Sequence, residues 1–395
     1  MTGIPPTALL GPLSFVLLGT GAGPAPTAGD EPSCSWCLDD PENLAAIGAV
    51  SHGPFPFAKA DTEAVAEFPS GHGWVFLETE HLRFASSLGP QAVKAKDRER
   101  LEAELDRLRA GMPELPAKIR KLDPFLRLHL MALRCEDFYD RFQQLLGVTD
   151  EDFPERRTAE GPYMGNGRFL GEADKFEIFF HVNRTTHQLF TRDNMGVQVT
   201  DALRWHFSPQ HKHLASIPAE DSDLRFDAWL FPHTVHQLAH MCFAAYKHYS
   251  YDPPVWLDEG LAHVMEREVE GVSTTLCGDE GSGPHRGGHQ DWEGKDARLA
   301  RRGKATSLAQ LMHLATYGDM DVDTHITAWS KVRFLVEAHP EGFARFVGGI
   351  KGQLDEAGYP TGKDLPGLQR RLLKEIWGWT PPEFDEAWKA WVLEQ

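Results

Sequence analysis

Three observations predict an α+β fold in which a small mixed sheet precedes two helices and a helical C-terminal subdomain. Apolar residues alternate in two segments of the first half, around Trp74–Ser86 and Lys175–Val182. From Phe231 to Tyr246 they follow helical spacing in one continuous stripe, and from Leu308 onward helical periodicity is almost unbroken.

Taken in order, residues 8 to 19 run Ala-Leu-Leu-Gly-Pro-Leu-Ser-Phe-Val-Leu-Leu-Gly and lead into a Gly/Ala/Pro/Thr-rich stretch ending at Gly29. An apolar run followed by small residues reads as a signal peptide over 1–28, cleaved between Ala22 and Ala28, although no Lys or Arg precedes it. The mature chain is then exported, periplasmic or extracellular. The run is too short and proline-broken to span a bilayer, which takes about 20 apolar residues. Residues 29–72 are rich in proline and glycine and carry Cys34-Ser-Trp-Cys37. This C-x-x-C reads as a short disulfide, a redox pair, or half of a metal site completed by His52 or His72. The favoured expectation is a disulfide or a local metal clip that staples the segment. Leu38 in place of His excludes the usual haem-attachment motif.

An α+β subdomain is expected over 73–221. Trp74–Ser86 reads as strand, Lys94–Ala110 as a charged helix with Leu101, Leu105 and Leu108 on one face, and Pro124–Leu146 as a second helix. Lys175–Val182 is the clearest strand, Thr185–Asp193 a short helix, and Gly196–Pro218 further strands carrying His206, His211 and His213 as loop or edge residues. A helical subdomain follows over 222–395. After its first two helices comes a Gly-rich loop, Gly278–Gly294, and then helices over Leu308–Thr316, His325–Ala338, Gly342–Ile350, Leu365–Ile376 and Glu383–Val392.

The 395 residues suffice for one large or two ordinary domains. A net charge of −18 argues against nucleic acid and anionic lipid as partners, since both want clustered Lys and Arg. No later segment is long enough for a transmembrane span.

In the first helix of the second subdomain, Phe231, Val235, Leu238, Ala239, Cys242, Phe243 and Tyr246 make the buried stripe, and Pro232 is expected to open the helix. His236 and His240, with His233, form a second stripe at its edge, where a group facing a cleft belongs. Two histidines four apart have Cβ atoms about 5–6 Å from each other, so both imidazoles can reach one zinc ion at roughly 2.0–2.1 Å. The second helix is opened by Pro253-Pro254 and bears Glu259 and His263 four apart. Two His and one Glu leave a coordination position for water or substrate, as in catalytic zinc sites.

His236-Gln237-Leu238-Ala239-His240, then eighteen intervening residues, then Glu259 within Trp256-Leu257-Asp258-Glu259-Gly260-Leu261-Ala262, resembles the gluzincin metallopeptidases. This group includes thermolysin and the aminopeptidase N-like enzymes. The chain is most similar to the exported bacterial peptidase-MA-like proteins, from about Trp74 to the C-terminus. The resemblance implies that His236, His240 and Glu259 hold one zinc ion, and that a sheet with an edge strand bordering the cleft precedes the zinc helix. It also implies that Gln237 stands where the general base of H-E-x-x-H belongs.

An amide can hold a water by hydrogen bonds but cannot take its proton. General acid–base catalysis contributes about 10²–10⁴-fold, so the exchange costs roughly 3–5 kcal/mol of barrier. His233 and His263 read as alternative ligands, as groups that orient the ligands, or as solvated side chains. Asp258 and Glu266 read as surface or ligand-orienting carboxylates. Tyr246, Tyr249, Tyr251 and Tyr317 are oxyanion-stabilising candidates by residue type alone. Three functions follow: a zinc-binding pseudopeptidase that binds peptide or protein, an active peptidase in which His233, Asp258 or Glu266 relays the proton, or a structural protein with a vestigial metal site.

Overall fold

The computed structural model describes residues 33–156, 161–220, 223–278, 281–284 and 291–395, so the expected signal peptide lies outside the described residues. Strands β1 (Ala49–Ser51), β2 (Val75–Thr79), β3 (Leu82–Ser86), β4 (Phe176–His181), β5 (Leu203–Phe207) and β6 (Lys212–Pro218) form one mixed sheet in the order β1-β2-β3-β4-β6-β5. The β3–β4 and β4–β6 pairs are parallel and the others antiparallel. β4 is buried along its whole length because both faces are covered. Phe176, Ile178 and Phe180 enter the main core, while Phe179 packs with Ala85, Leu214 and Phe190 on the other side. β5 is left as an edge strand.

The segment expected as one strand, Trp74–Ser86, is the hairpin β2–β3. Period-two alternation reads the same in either chain direction, and Thr79-Glu80-His81 carries no glycine or asparagine to signal a turn. The turn is held by tertiary contacts instead. His81 lies 2.6 Å from Glu136 and 2.8 Å from Asp150, and its ring stacks on Tyr139. Burial alone pushes this imidazole down, but the two carboxylates outweigh it and bring it up to about 9. The folded state therefore binds the proton more tightly than the unfolded chain, whose histidines titrate near 6.5. Stability from this contact is complete below about pH 6.5 and lost as pH rises through about 9. Urea unfolding of the parent should weaken over that window relative to His81→Gln, and a constant difference between the two would refute the assignment.

Helices α1 (Arg98–Leu108), α2 (Pro124–Leu146) and α3 (Arg184–Met195) belong to the sheet-containing half. α2 starts where Asp123 accepts from the Leu126 N–H and stops at Gly147, whose φ of 65° suits the left-handed cap. The second half is built from α4 (Asp227–Ala245), α5 (Val255–Val269), α6 (Trp292–Arg302), α7 (Val322–Ala338), α8 (Pro340–Ile350), α9 (Leu365–Trp377) and α10 (Pro381–Glu394). No helix among the described residues is long and apolar enough to cross a membrane.

Pro232 does not open α4. The helix begins five residues earlier at Asp227, and the proline sits inside it with only the bond to the Ala228 carbonyl forgone. The described part of the segment expected as a Gly-rich loop, Gly278–Gly294, contributes β8 (Ser282–Pro284), paired with β7 (Thr275–Cys277) just before it, and the start of α6, while residues 279–280 and 285–290 lie outside the described residues. The helix expected over Leu308–Thr316 is the single turn Leu308–Leu311. β7 and β8 form an antiparallel hairpin. α5 packs between α4 and α7. Its approach to α7 requires Gly260, since a Cβ there would meet the Ala328 carbonyl oxygen at 2.7 Å and Val332 at 2.6 Å. The residue beside the expected Glu ligand is thus fixed by helix packing.

Candidate metal centre

α4 and α5 bring His236, His240 and Glu259 together, all nearly or wholly buried. His236 Nε2 and His240 Nε2 lie 3.2 Å apart, and Glu259 Oε2 is 3.2 Å from His240 Nε2 and 3.9 Å from His236 Nε2. A fourth donor completes the group. Cys277, at the end of β7, places its Sγ 3.4 Å from both Nε2 atoms. Zinc with Zn–N near 2.0–2.1 Å and Zn–S near 2.3 Å implies donor separations of about 3.3–3.8 Å around a tetrahedron. Four of the separations, 3.2–3.4 Å, lie close to that pattern, and His236 to Glu259 is slightly wider at 3.9 Å. All four atoms lie within 4.8 Å of one another, and Glu259 Oε2 has no hydrogen-bond donor of its own. These buried His, Cys and Glu side chains fit a metal ion.

The imidazoles are aimed from behind. His236 Nδ1 donates to Glu266 Oε2 at 3.1 Å, and His240 Nδ1 lies 2.8 Å from Asp258 Oδ2, which leaves both Nε2 lone pairs converging. Glu259 Oε1 faces away from the donor group, 3.2 Å from His263 Nε2 and 3.2 Å from His325 Nδ1, and accepts from the Cys277 backbone N–H. Burial works against the charge of Glu259, and His240, His263 and His325 overcome it to hold the carboxyl well below its usual range. Burial and Glu259 push the Cys277 thiol up, while Arg204, His240 and His236 bring it down to about 6. A thiol brought this low gives up its proton readily, and the thiolate is the form that binds metal.

Gln237 is not free to hold a water over this group. Its Oε1 accepts from Arg204 at 2.8 Å and from Ser282 Oγ at 3.0 Å, and its amide nitrogen faces His233 Nε2 at 3.5 Å. It ties α4 to β5 and to the β7–β8 hairpin. His233 is wholly buried, and burial lowers it to about 3, so it is neutral. Its Nδ1 donates to Thr275 Oγ1, which in turn donates to Glu266 Oε1. Glu266 also accepts from Ser273 Oγ and the Thr275 N–H. Of the residues weighed as a substitute base, Glu266 is saturated by donors, His233 is engaged with Thr275, and Asp258 is held between His240 and the Tyr317 hydroxyl. His233 and His263 are buried rather than solvated.

Among the four tyrosines, Tyr317 reaches the site. Its ring meets His240 edge-on, whereas the Tyr251 hydroxyl donates to the Ile350 carbonyl and Tyr246 packs in the core. Beside the metal group a cavity of about 420 Å³ opens along β5, lined by Arg204, His206, His213, His240, Tyr249 and Tyr317. Arg204 and Cys277 carried no motif. Only the fold connects them: β5 brings Arg204 within 3.6 Å of the sulfur.

Cys34 and Cys37 are free thiols, separate from this centre. His52 lies beside them, and His72 is an exposed side chain near Gly89. No protein-family model matches the chain, and no curated protein matches it.

Proposed function

We propose that this is an exported zinc-binding protein of metallopeptidase-like design that binds peptide or protein without hydrolysing it. The observation that carries the reading is Cys277 Sγ, 3.4 Å from both Nε2 atoms. Catalytic zinc keeps a position for water, and structural zinc is closed by four protein donors. Here the thiolate takes the water's position and Gln237 takes the base's, so two requirements of hydrolysis are missing at once.

The binding function rests on the cavity beside the metal and on β5. An edge strand offers backbone groups that an extended peptide can pair with, and the cavity presents both donors, from Arg204 and imidazoles, and acceptors, from Asp252 and Asp258, to polar groups of a ligand. Part of the approach is already taken by the chain itself: Ala202 and Ser282 exchange two backbone hydrogen bonds, of 3.0 and 2.9 Å.

The test is metal analysis of protein purified without added zinc, together with exposure to a diverse peptide library read by mass spectrometry for both retention and cleavage. Bound zinc that is lost in His236→Ala, with peptide retained and uncut, is the expected result. Chelator-sensitive cleavage by the parent would overturn the reading.

A further inference from the structure

The N-terminal C-x-x-C takes no part in that centre, and its surroundings are those of a second ion. Cys34 and Cys37 lie in a tight turn where Leu38 N donates to the Cys34 carbonyl and Asp40 N to the Cys37 carbonyl. Leu38 and Asp39 adopt φ of 59° and 52°, and the Asp39 carboxylate holds the start of the turn by accepting from Ser33 and the Cys34 N–H. Both thiols are fully buried, yet they point at two imidazoles, His52 from the following segment and His129 from the distant helix α2. Cys37 Sγ is 3.3 Å from His52 Nε2, and His129 Nε2 on α2 is 3.8 Å from Cys34 Sγ and 4.0 Å from Cys37 Sγ.

The two imidazole nitrogens face each other at 3.3 Å. His52 Nδ1 lies 2.7 Å from the Phe76 carbonyl, which can only accept, so the proton of the neutral ring is on Nδ1 and Nε2 presents a lone pair. Two thiols and two imidazoles thus converge, all four donor atoms within 4.8 Å of one another. A tetrahedral zinc with two sulfurs and two nitrogens implies neighbouring donors about 3.3–3.8 Å apart. Two thiolates also neutralise a divalent ion, which removes the cost of burying charge without a partner.

We propose that Cys34, Cys37, His52 and His129 form a second, structural zinc site that fastens the N-terminal segment to α2 and β2. Each thiol gives up its proton on binding, no donor position is left for water, and the role is to hold the fold rather than to react. Trp36 assists from the same turn, donating from Nε1 to Asp123 at the start of α2, and Phe125 meets the His52 ring edge-on. This site shares no residue with the centre on α4 and α5, so its fate is independent of the proposed function.

The full chain, purified under reducing conditions without added metal, is expected to carry two zinc ions by native mass spectrometry. Cys34→Ser/Cys37→Ser should lose one and keep the other. His236→Ala/His240→Ala should lose the opposite one, and cobalt loaded into that variant should show tetrahedral bands with thiolate charge transfer. If the double serine variant does not fold, alkylation of the parent decides: Cys34 and Cys37 should be protected until a chelator is added. A Cys34–Cys37 disulfide in the reduced parent preparation, thiols reactive without chelation, or zinc content unchanged in the serine variant would each overturn the proposal.

Discussion

The double variant Gln237→Glu/Cys277→Ala is expected to gain metal-dependent peptide hydrolysis that neither single substitution produces. Cys277→Ala alone opens the fourth coordination position to water but leaves no group to take its proton. Gln237→Glu alone supplies a carboxylate while the thiolate still occupies that position, 3.4 Å from both ligand imidazoles. The restored base is worth about 10²–10⁴-fold over Cys277→Ala. Arg204 limits the gain. It sits 2.8 Å from the position 237 oxygen, and a cation at that range lowers the basicity of a carboxylate. Initial rates on a peptide library, with bound zinc measured in every variant, check the expectation. Equal activity in Gln237→Glu and the double variant would mean that Cys277 is no barrier. Loss of zinc from Cys277→Ala would mean that three donors do not suffice.

Glu266→Gln is expected to weaken zinc binding by about 10–100-fold, the usual effect of removing a group that orients a metal-bound histidine. The side chain is wholly buried and joins three elements: it accepts from His236 on α4, and from Ser273 and Thr275 just before Cys277. Its loss loosens both a ligand imidazole and the approach of the thiolate. Because buried donors are left without a full partner, the metal-free protein should also lose about 1–3 kcal/mol. Competition with a chelator of known affinity reads the first effect, and urea unfolding of the metal-free form reads the second. An unchanged chelator midpoint would show that Glu266 is structural only.

The two helices of the candidate centre were legible in the sequence because their information is local. His236, His240, Glu259 and His263 follow a helical period, which fixes their relative positions on each helix before any packing is known. The α+β organisation was legible for the same reason, in the β4 segment and in the long α2 helix. Where a boundary depended on contacts made elsewhere, local pattern failed. The β2–β3 turn is set by Glu136 and Asp150, and the start of α4 is set upstream of a proline that looked like a beginning.

By itself, the sequence determined the two helices that carry the candidate donors, the amide at position 237, and the cysteine pair with His52 or His72 as its candidate partners. Tertiary structure alone decided what surrounds them. Cys277 reaches the metal group on a hairpin, Arg204 reaches Gln237 from a sheet edge, and His129 reaches Cys34 and Cys37 from α2. A tetrahedral donor set closes in space, and its last members come from segments whose sequence separation carries no period. Helical spacing can therefore announce a set of candidate metal donors, while only the folded chain decides whether the last position around them is left open or faces a cysteine sulfur.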